Sequence, residues 1–150
     1  MSAFGTTIAP EAIRIFDGSV NKQQALDGMI DAVMKTGMIT DRDSLHRALF
    51  EREAIRSTGF RGVAIPHVRI DEILKPTIGV GISKEGIAFD ALDNDPINII
   101  VLFAMPSGSD KEYLGLLAKV MMSLRTPGFC PKLIACSSPE EVLDMLGNDA

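Results

Sequence analysis

Tryptophan is absent from this chain of 150 residues, tyrosine occurs once, histidine twice, and cysteine only at Cys130 and Cys136. Each shortage excludes something. Two thiols without a nearby histidine make neither a zinc site nor a disulfide framework, and no His/Asp/Glu/Cys cluster has ligand spacing, so no metal is expected. Basic excess is missing too: 15 Lys and Arg against 20 Asp and Glu give a net charge of −5. That is the wrong sign for a nucleic-acid module, which presents a basic face. The longest apolar run, residues 97–105, is far short of a membrane span and fits a buried strand. No basic segment followed by an apolar stretch opens the chain, so no signal peptide is read. There is no repeat, linker or low-complexity tract. A soluble, cytoplasmic protein with reduced thiols is the expectation.

What is present suits one compact domain. With 46% hydrophobic residues in 150, the chain can bury a core of its own. Residues 1–12 read as a mobile or loosely docked arm, so the core is expected over about 13–146. A short strand at Ile13–Phe16 precedes a capping box, Asn21 with Gln24. Leu26, Met29, Ile30 and Val33 then line one face of a helix ending near Gly37. A second helix opens at Thr40 or Asp41 and carries Leu45, Ala48 and Leu49 on its apolar stripe, with Ile55 further along. Residues 57–62 form a small polar loop, and 63–65 a short buried strand closed by Pro66.

Ile78, Val80 and Ile82 alternate with Gly79, Gly81 and Ser83, the period of a strand with one bulky face. Gly86 marks a turn into a strand at 87–89, and the Asp93-Asn94-Asp95-Pro96 turn leads to the strand at 97–105. Ser109 and Glu112 have capping-box spacing at the head of a long helix through Leu114, Leu117, Met121 and Leu124. Being apolar nearly all round, that helix is expected to be largely buried. Pro127 ends it, a short helix follows over 130–135, and Ser138-Pro139 opens the last. Four or five strands interleaved with helices predict an α/β fold: a mixed sheet in a three-layer sandwich, helices on both faces.

The chemistry concentrates in the segment from Ser57 to His67. His67 follows a strand and a proline, so a rigid support holds its ring. A neutral imidazole is a good nucleophile near pH 7 and can take and release a phosphoryl group. Spacing alone favours the plainer reading, a histidine that hydrogen-bonds a loop carbonyl. Arg52 stands seven positions after Leu45, where an apolar residue is expected, and its guanidinium suits a multi-oxygen anion. Taken alone, an ordinary salt bridge accounts for it. Ser57, Thr58 and Gly59 offer hydroxyl and N–H donors to an anion, or simply end a helix. His46 lies off its helix stripe and is given no role. Met29, Met34, Met121 and Met122 read as core filler. Gly79 and Gly81 lack the following helix that a nucleotide loop requires, so that motif is rejected.

Together, Arg52-Glu53, Ser57-Thr58-Gly59, the Gly62-Val63-Ala64-Ile65-Pro66-His67 run and the downstream Lys84-Glu85-Gly86-Ile87-Ala88-Phe89-Asp90 run resemble the type-2 IIA domains of the phosphoenolpyruvate-dependent sugar phosphotransferase system. These include the mannitol and fructose IIA proteins and their nitrogen-regulatory relatives. The resemblance implies that His67 is phosphorylated by the phosphocarrier HPr and passes the group to a IIB domain, or keeps it as a regulatory mark. It makes Arg52 the charge stabiliser beside the phosphohistidine, with Ser57, Thr58, Gly59 and Tyr113 as secondary phosphate contacts. It implies no dissociable cofactor. Two departures stand out. Gly59-Phe60-Arg61-Gly62 is one residue shorter than the family's usual Gly-Ile-Gly-Asn-Gly and carries a charge, which reshapes the docking rim or adds a phosphate contact. Glu112-Tyr113-Leu114 stands where many members have Glu-His-Leu, which gives weight to a regulatory role over sugar transport. The alternative is a non-catalytic interaction domain on the same fold.

Overall fold

The computed structural model describes residues 3–147. After a single 3-10 turn at Pro10–Ala12 come β1 (Ile13–Phe16), β2 (Val20–Asn21), α1 (Lys22–Met34) and α2 (Arg42–Ile55). Then follow β3 (Gly59–Phe60), β4 (Val63–Ala64), β5 (His67–Ile70), β6 (Thr77–Ala88) and β7 (Ile97–Pro106). The chain closes with α3 (Asp110–Arg125), α4 (Phe129–Ile134) and α5 (Pro139–Leu146). All seven strands among the described residues join one mixed sheet. β6 and β7 run antiparallel at its centre, β1 and β2 pair in parallel along β6, and β4 and then β5 pair in parallel along β7. β3 folds back on β4 as the edge.

The buried apolar run of β7 serves both faces by the two-residue period of a strand. Ile100, Leu102 and Ala104 pack under α1 and α2, while Ile99, Val101, Phe103 and Met105 pack under α3, α4 and α5. Gly79 and Gly81 of β6 allow α1 to lie close to the sheet. A Cβ on Gly81 would come within 2.6 Å of the Met29 sulfur, and one on Gly79 within 2.8 Å of Val33. The caps read from the sequence form at Asn21, which accepts from the Gln24 N–H at 2.8 Å, at Asp41, and at Ser138.

Several expectations give way. The arm docks firmly over its described part: Phe4 and Ile8 are buried, and the Ala3 N–H donates to the Leu146 carbonyl at 2.7 Å. Apolar side chains without helical or strand period can still cover an open end of the core. Gly86, at φ +92°, disturbs the register of β6 between Ile82 and Ile87 but does not end the strand. The strand expected at 63–65 forms as β4, while the unexpected β2 and β3 are two residues long, too short for any period to show. His67 opens a strand of its own after Pro66, where the sequence suggested a residue trailing one.

Ser109 heads α3 but does not cap it: its backbone (φ −103°, ψ 28°) is not in the extended cap conformation, and its hydroxyl, turned to donate to the Pro106 carbonyl at 2.5 Å, accepts no N–H of the first turn. The larger correction concerns the burial of α3. Among its residues only Val120 is buried, and Leu114 and Met122 are 61% and 71% exposed, so Met122 is no core filler. A helix laid on a sheet buries one stripe, and the apolar residues of α3 outnumber its stripe. Ile55, at the last residue of α2, is 83% exposed for a related reason: the helix has run past the edge of the core.

Candidate phosphoryl-transfer site

Three elements converge on His67. β5 begins at this residue, in register with Phe103 of β7, and the Phe103 N–H donates to the Pro66 carbonyl at 2.9 Å. The backbone on either side of the ring is thereby tied to the sheet centre. The first turn of α3 lays Tyr113 flat on the imidazole, with centroids 4.4 Å apart and planes 11° from parallel. Tyr113 is itself steadied edge-on by Phe103 at 5.3 Å. Arg52, in the last turn of α2, donates from Nη1 to the Arg56 carbonyl at 3.0 Å, which aims its guanidinium along the helix end.

Electrostatics set the protonation states. Burial, helped by the positive charges of Arg69 and Arg52, holds the His67 imidazole below its ordinary range, with Asp110 opposing. The ring is therefore neutral at pH 7, with a nitrogen lone pair available. Burial pushes the Tyr113 phenol up, with Arg52 and Arg69 pulling the other way, so it stays protonated and can donate. A neutral nucleophile, a phenol donor and two guanidinium charges suit a tetrahedral anion built on the ring.

The loop after α2 is held differently. Glu53 is only 4% exposed and accepts from the Thr58 hydroxyl at 2.6 Å, from the Thr58 N–H at 3.3 Å, and from Lys22 at 3.0 Å. The Gly59 N–H donates to the Ser57 hydroxyl oxygen at 3.1 Å. Thr58 thus directs both donors to Glu53 of α2 and Gly59 its N–H to Ser57, while the Ser57 hydroxyl takes part only as an acceptor among the bonds of the described residues. Arg61 and Gly62 form the two-residue turn between β3 and β4, both at positive φ (+53° and +81°), the pattern of a type I′ hairpin. That tight turn is the physical form of the shortened segment, and Arg61 lays its guanidinium over the Phe60 ring at 5.2 Å.

Two residues here have no role in the sequence reading: Arg69 goes unremarked there, and Glu53 enters only as part of the Arg52-Glu53 pair in the resemblance. Arg69 lies two positions beyond His67, on the same face of β5, and the strand period was the available signal. Glu53 continues the four-residue step from Leu45 and Leu49, so it is the acid that occupies the buried stripe, while Arg52 beside it is half-buried. His46 is exposed, stacked on Phe50 at 4.2 Å and 3.5 Å from Asp27. No group of three His, Cys, Asp or Glu that could hold a metal occurs among the described residues. No helix among them is long and apolar enough to cross a membrane.

A profile of the family described as "Phosphoenolpyruvate-dependent sugar phosphotransferase system, EIIA 2" matches residues 7–149. The chain belongs to this EIIA family. It is 33% identical over 143 residues to the fructose-specific EIIA component of Haloferax volcanii, covering 94% of this chain and 93% of that one. Among solved structures, the nitrogen regulatory protein IIA-Ntr of Neisseria meningitidis superposes with a TM-score of 0.81 at 25% identity, over 93% of this chain and 96% of the other. The mannitol enzyme IIA of Escherichia coli, solved in complex with phosphorylated enzyme IIB, has the same fold, with a TM-score of 0.78 at 19% identity over 93% and 96% of the two chains. Sugar-specific and regulatory relatives therefore share this EIIA architecture.

Proposed function

We propose that His67 is the phosphoryl acceptor of this EIIA domain, loaded by an HPr-type carrier in the cytoplasm. The observation that carries the reading is the neutral, half-buried imidazole stacked on Tyr113 and set among guanidinium charges. In the transfer, a ring nitrogen of His67 attacks the phosphorus of the donor phosphohistidine. A new N–P bond forms as the donor's N–P bond breaks, and the electron pair returns to the donor ring. Arg52 balances charge on the equatorial oxygens, and the Tyr113 phenol and the hydroxyl of Ser57 are further donors. Thr58 and Gly59 act by shaping the loop that Glu53 fastens. The group then leaves to a IIB domain or remains as a regulatory mark, with the chain acting as one unit and no dissociable cofactor.

The complex of the mannitol relative with phosphorylated enzyme IIB supports a IIB-type partner. So does exposed Leu114, immediately beside Tyr113, an apolar contact next to the reacting ring. Tyr113 itself favours the regulatory output: a phenol donates a hydrogen bond yet adds no positive charge at neutral pH. Incubation with phosphoenolpyruvate, the system's first enzyme and HPr, followed by intact mass, tests the reading. One added phosphoryl group is expected. An unmodified protein would leave the interaction-domain reading standing.

A further inference from the structure

Arg69 and Asp110 both act on the charge of the His67 ring, yet neither has been given a specific contact in the transfer described above. His67 and Arg69 are two residues apart on β5, so the pleat sends both to one face. Against that face the first turn of α3 brings Asp110 to Arg69 and, three residues on, Tyr113 to His67. Neighbours on the strand thus meet neighbours on one helix face. The Arg69 Nη1–Asp110 Oδ1 pair is open to water, with the side chains 46% and 65% exposed. An ion pair of that kind contributes little to folding and exchanges partners readily.

The geometry points to Arg69 as a second cationic ligand of the phosphoryl group on His67, parked on Asp110 until that group arrives and displaces the carboxylate. The inference rests on His67 being the acceptor. A phosphoryl group brings nearly two negative charges and three acceptor oxygens, against the single charge of a carboxylate, and a guanidinium fork fits either. While Asp110 holds Arg69, it also opposes an incoming anion. On transfer, Arg69 turns from the carboxylate to a phosphoryl oxygen. The bonds exchanged remain the donor's N–P bond and the new one on His67, and the arginine keeps its proton. Asp110 is left free in the first turn of α3, where the positive end of the helix dipole favours a carboxylate. The phosphorylated form therefore presents an acidic group beside Leu114 that the resting form keeps paired.

Potassium phosphoramidate labels histidine without a protein donor and so separates this role from partner docking. Wild type, Arg69→Ala, Arg69→Lys, Asp110→Asn and the Arg69→Ala/Asp110→Asn double variant are treated with phosphoramidate and, separately, with phospho-HPr. Formation and hydrolysis of the phosphohistidine are followed by 31P NMR. Arg69→Ala should label on the order of tenfold more slowly, less than the loss of a fully preorganised donor because the site is open. Its 31P resonance should shift, and Arg69→Lys should recover part of the rate. Asp110→Asn should label about threefold faster, the scale of one exposed pair, and most of that gain should vanish in the double variant. A folded Arg69→Ala protein with wild-type rate and an unmoved resonance overturns the inference, as does an undiminished Asp110→Asn gain without Arg69. A wild type that neither donor labels removes the phosphocarrier reading itself, and this role with it.

Discussion

Replacing Arg52 by alanine separates chemistry from stability at this site. Among the described residues Arg52 makes one hydrogen bond, the 3.0 Å bond from Nη1 to the Arg56 carbonyl at the end of α2. Losing a bond of that kind costs about 0.5–1.5 kcal/mol of stability, and at a partly exposed helix end the low end applies. The kinetic loss should be larger. A preorganised donor to a developing anion lowers a barrier by roughly 2.7–4 kcal/mol in a closed site. Arg52 is only half-buried, so about 1.5–3 kcal/mol is the working figure, a slowing of roughly ten- to a hundredfold. The same substitution removes one of the charges that hold His67 neutral, which slows the reaction further below pH 7. Stopped-flow transfer from phospho-HPr measures the rate, and a thermal melt measures the stability. Arg52→Lys should restore the charge but not the planar fork, and so part of the rate. A folded Arg52→Ala protein phosphorylated at the wild-type rate would refute the argument and leave Arg52 as the end of a helix.

The stack on Tyr113 predicts that Tyr113→Phe keeps the ring contact but shortens the spontaneous lifetime of the phosphohistidine, while Tyr113→His speeds discharge to a IIB acceptor; label retention measures both, and two unchanged variants make Tyr113 a packing residue. Because burial and the two arginines depress the His67 pKa against Asp110, the rate should be level above the ordinary imidazole value of 6.5 and fall only as pH drops through the lower folded value. Stability linked to His67 has the same sign: it is fully present above 6.5 and lost as pH falls through the folded value, since the unfolded chain binds the proton more readily. A pH series of melts on wild type and His67→Ala measures it, and identical slopes contradict the depressed pKa. Gly81→Ala should cost about 1–3 kcal/mol in urea unfolding, because its methyl meets the Met29 sulfur at 2.6 Å and the Phe16 ring at 3.0 Å; a neutral result would mean that the flexible Met29 side chain turns aside at no cost.

Local rules carried the sequence reading as far as local rules act. Asn21, Asp41 and Ser138 cap their helices through bonds spanning three residues, and residues 97–105 announce a two-sided strand by composition alone. Ser109 shows the limit. Its spacing to Glu112 is that of a capping box, but its backbone does not take the extended cap conformation and its hydroxyl is turned toward the Pro106 carbonyl, away from the N–H groups it would have to accept from. α3 failed for a different reason: apolar composition tells how much surface could be buried, while the width of the sheet beneath decides how much is. Leu114 and Met122 remain outside. In the candidate site, His67 and Arg52 drew notice through a rigid support and an apparent break in an apolar stripe, but each taken alone favoured a plain structural reading, and the buried stripe of α2 runs through Glu53, with Arg52 beside it. Tyr113 was found through resemblance, not spacing. Arg69 needed the start of β5 to be known, because with His67 placed at the end of a preceding strand the continuing alternation was not followed. Glu53 needed the loop that folds back on it, since its partners Thr58 and Lys22 come from opposite sides in sequence.

The most direct test of the central claim is phosphoryl stoichiometry on wild type and His67→Ala after reaction with phosphoenolpyruvate, the first enzyme and HPr. The account predicts one acid-labile, alkali-stable phosphoryl group on the wild type and none on His67→Ala, with both proteins folded alike. Full labelling of His67→Ala, or a wild type that stays unmodified, would contradict it.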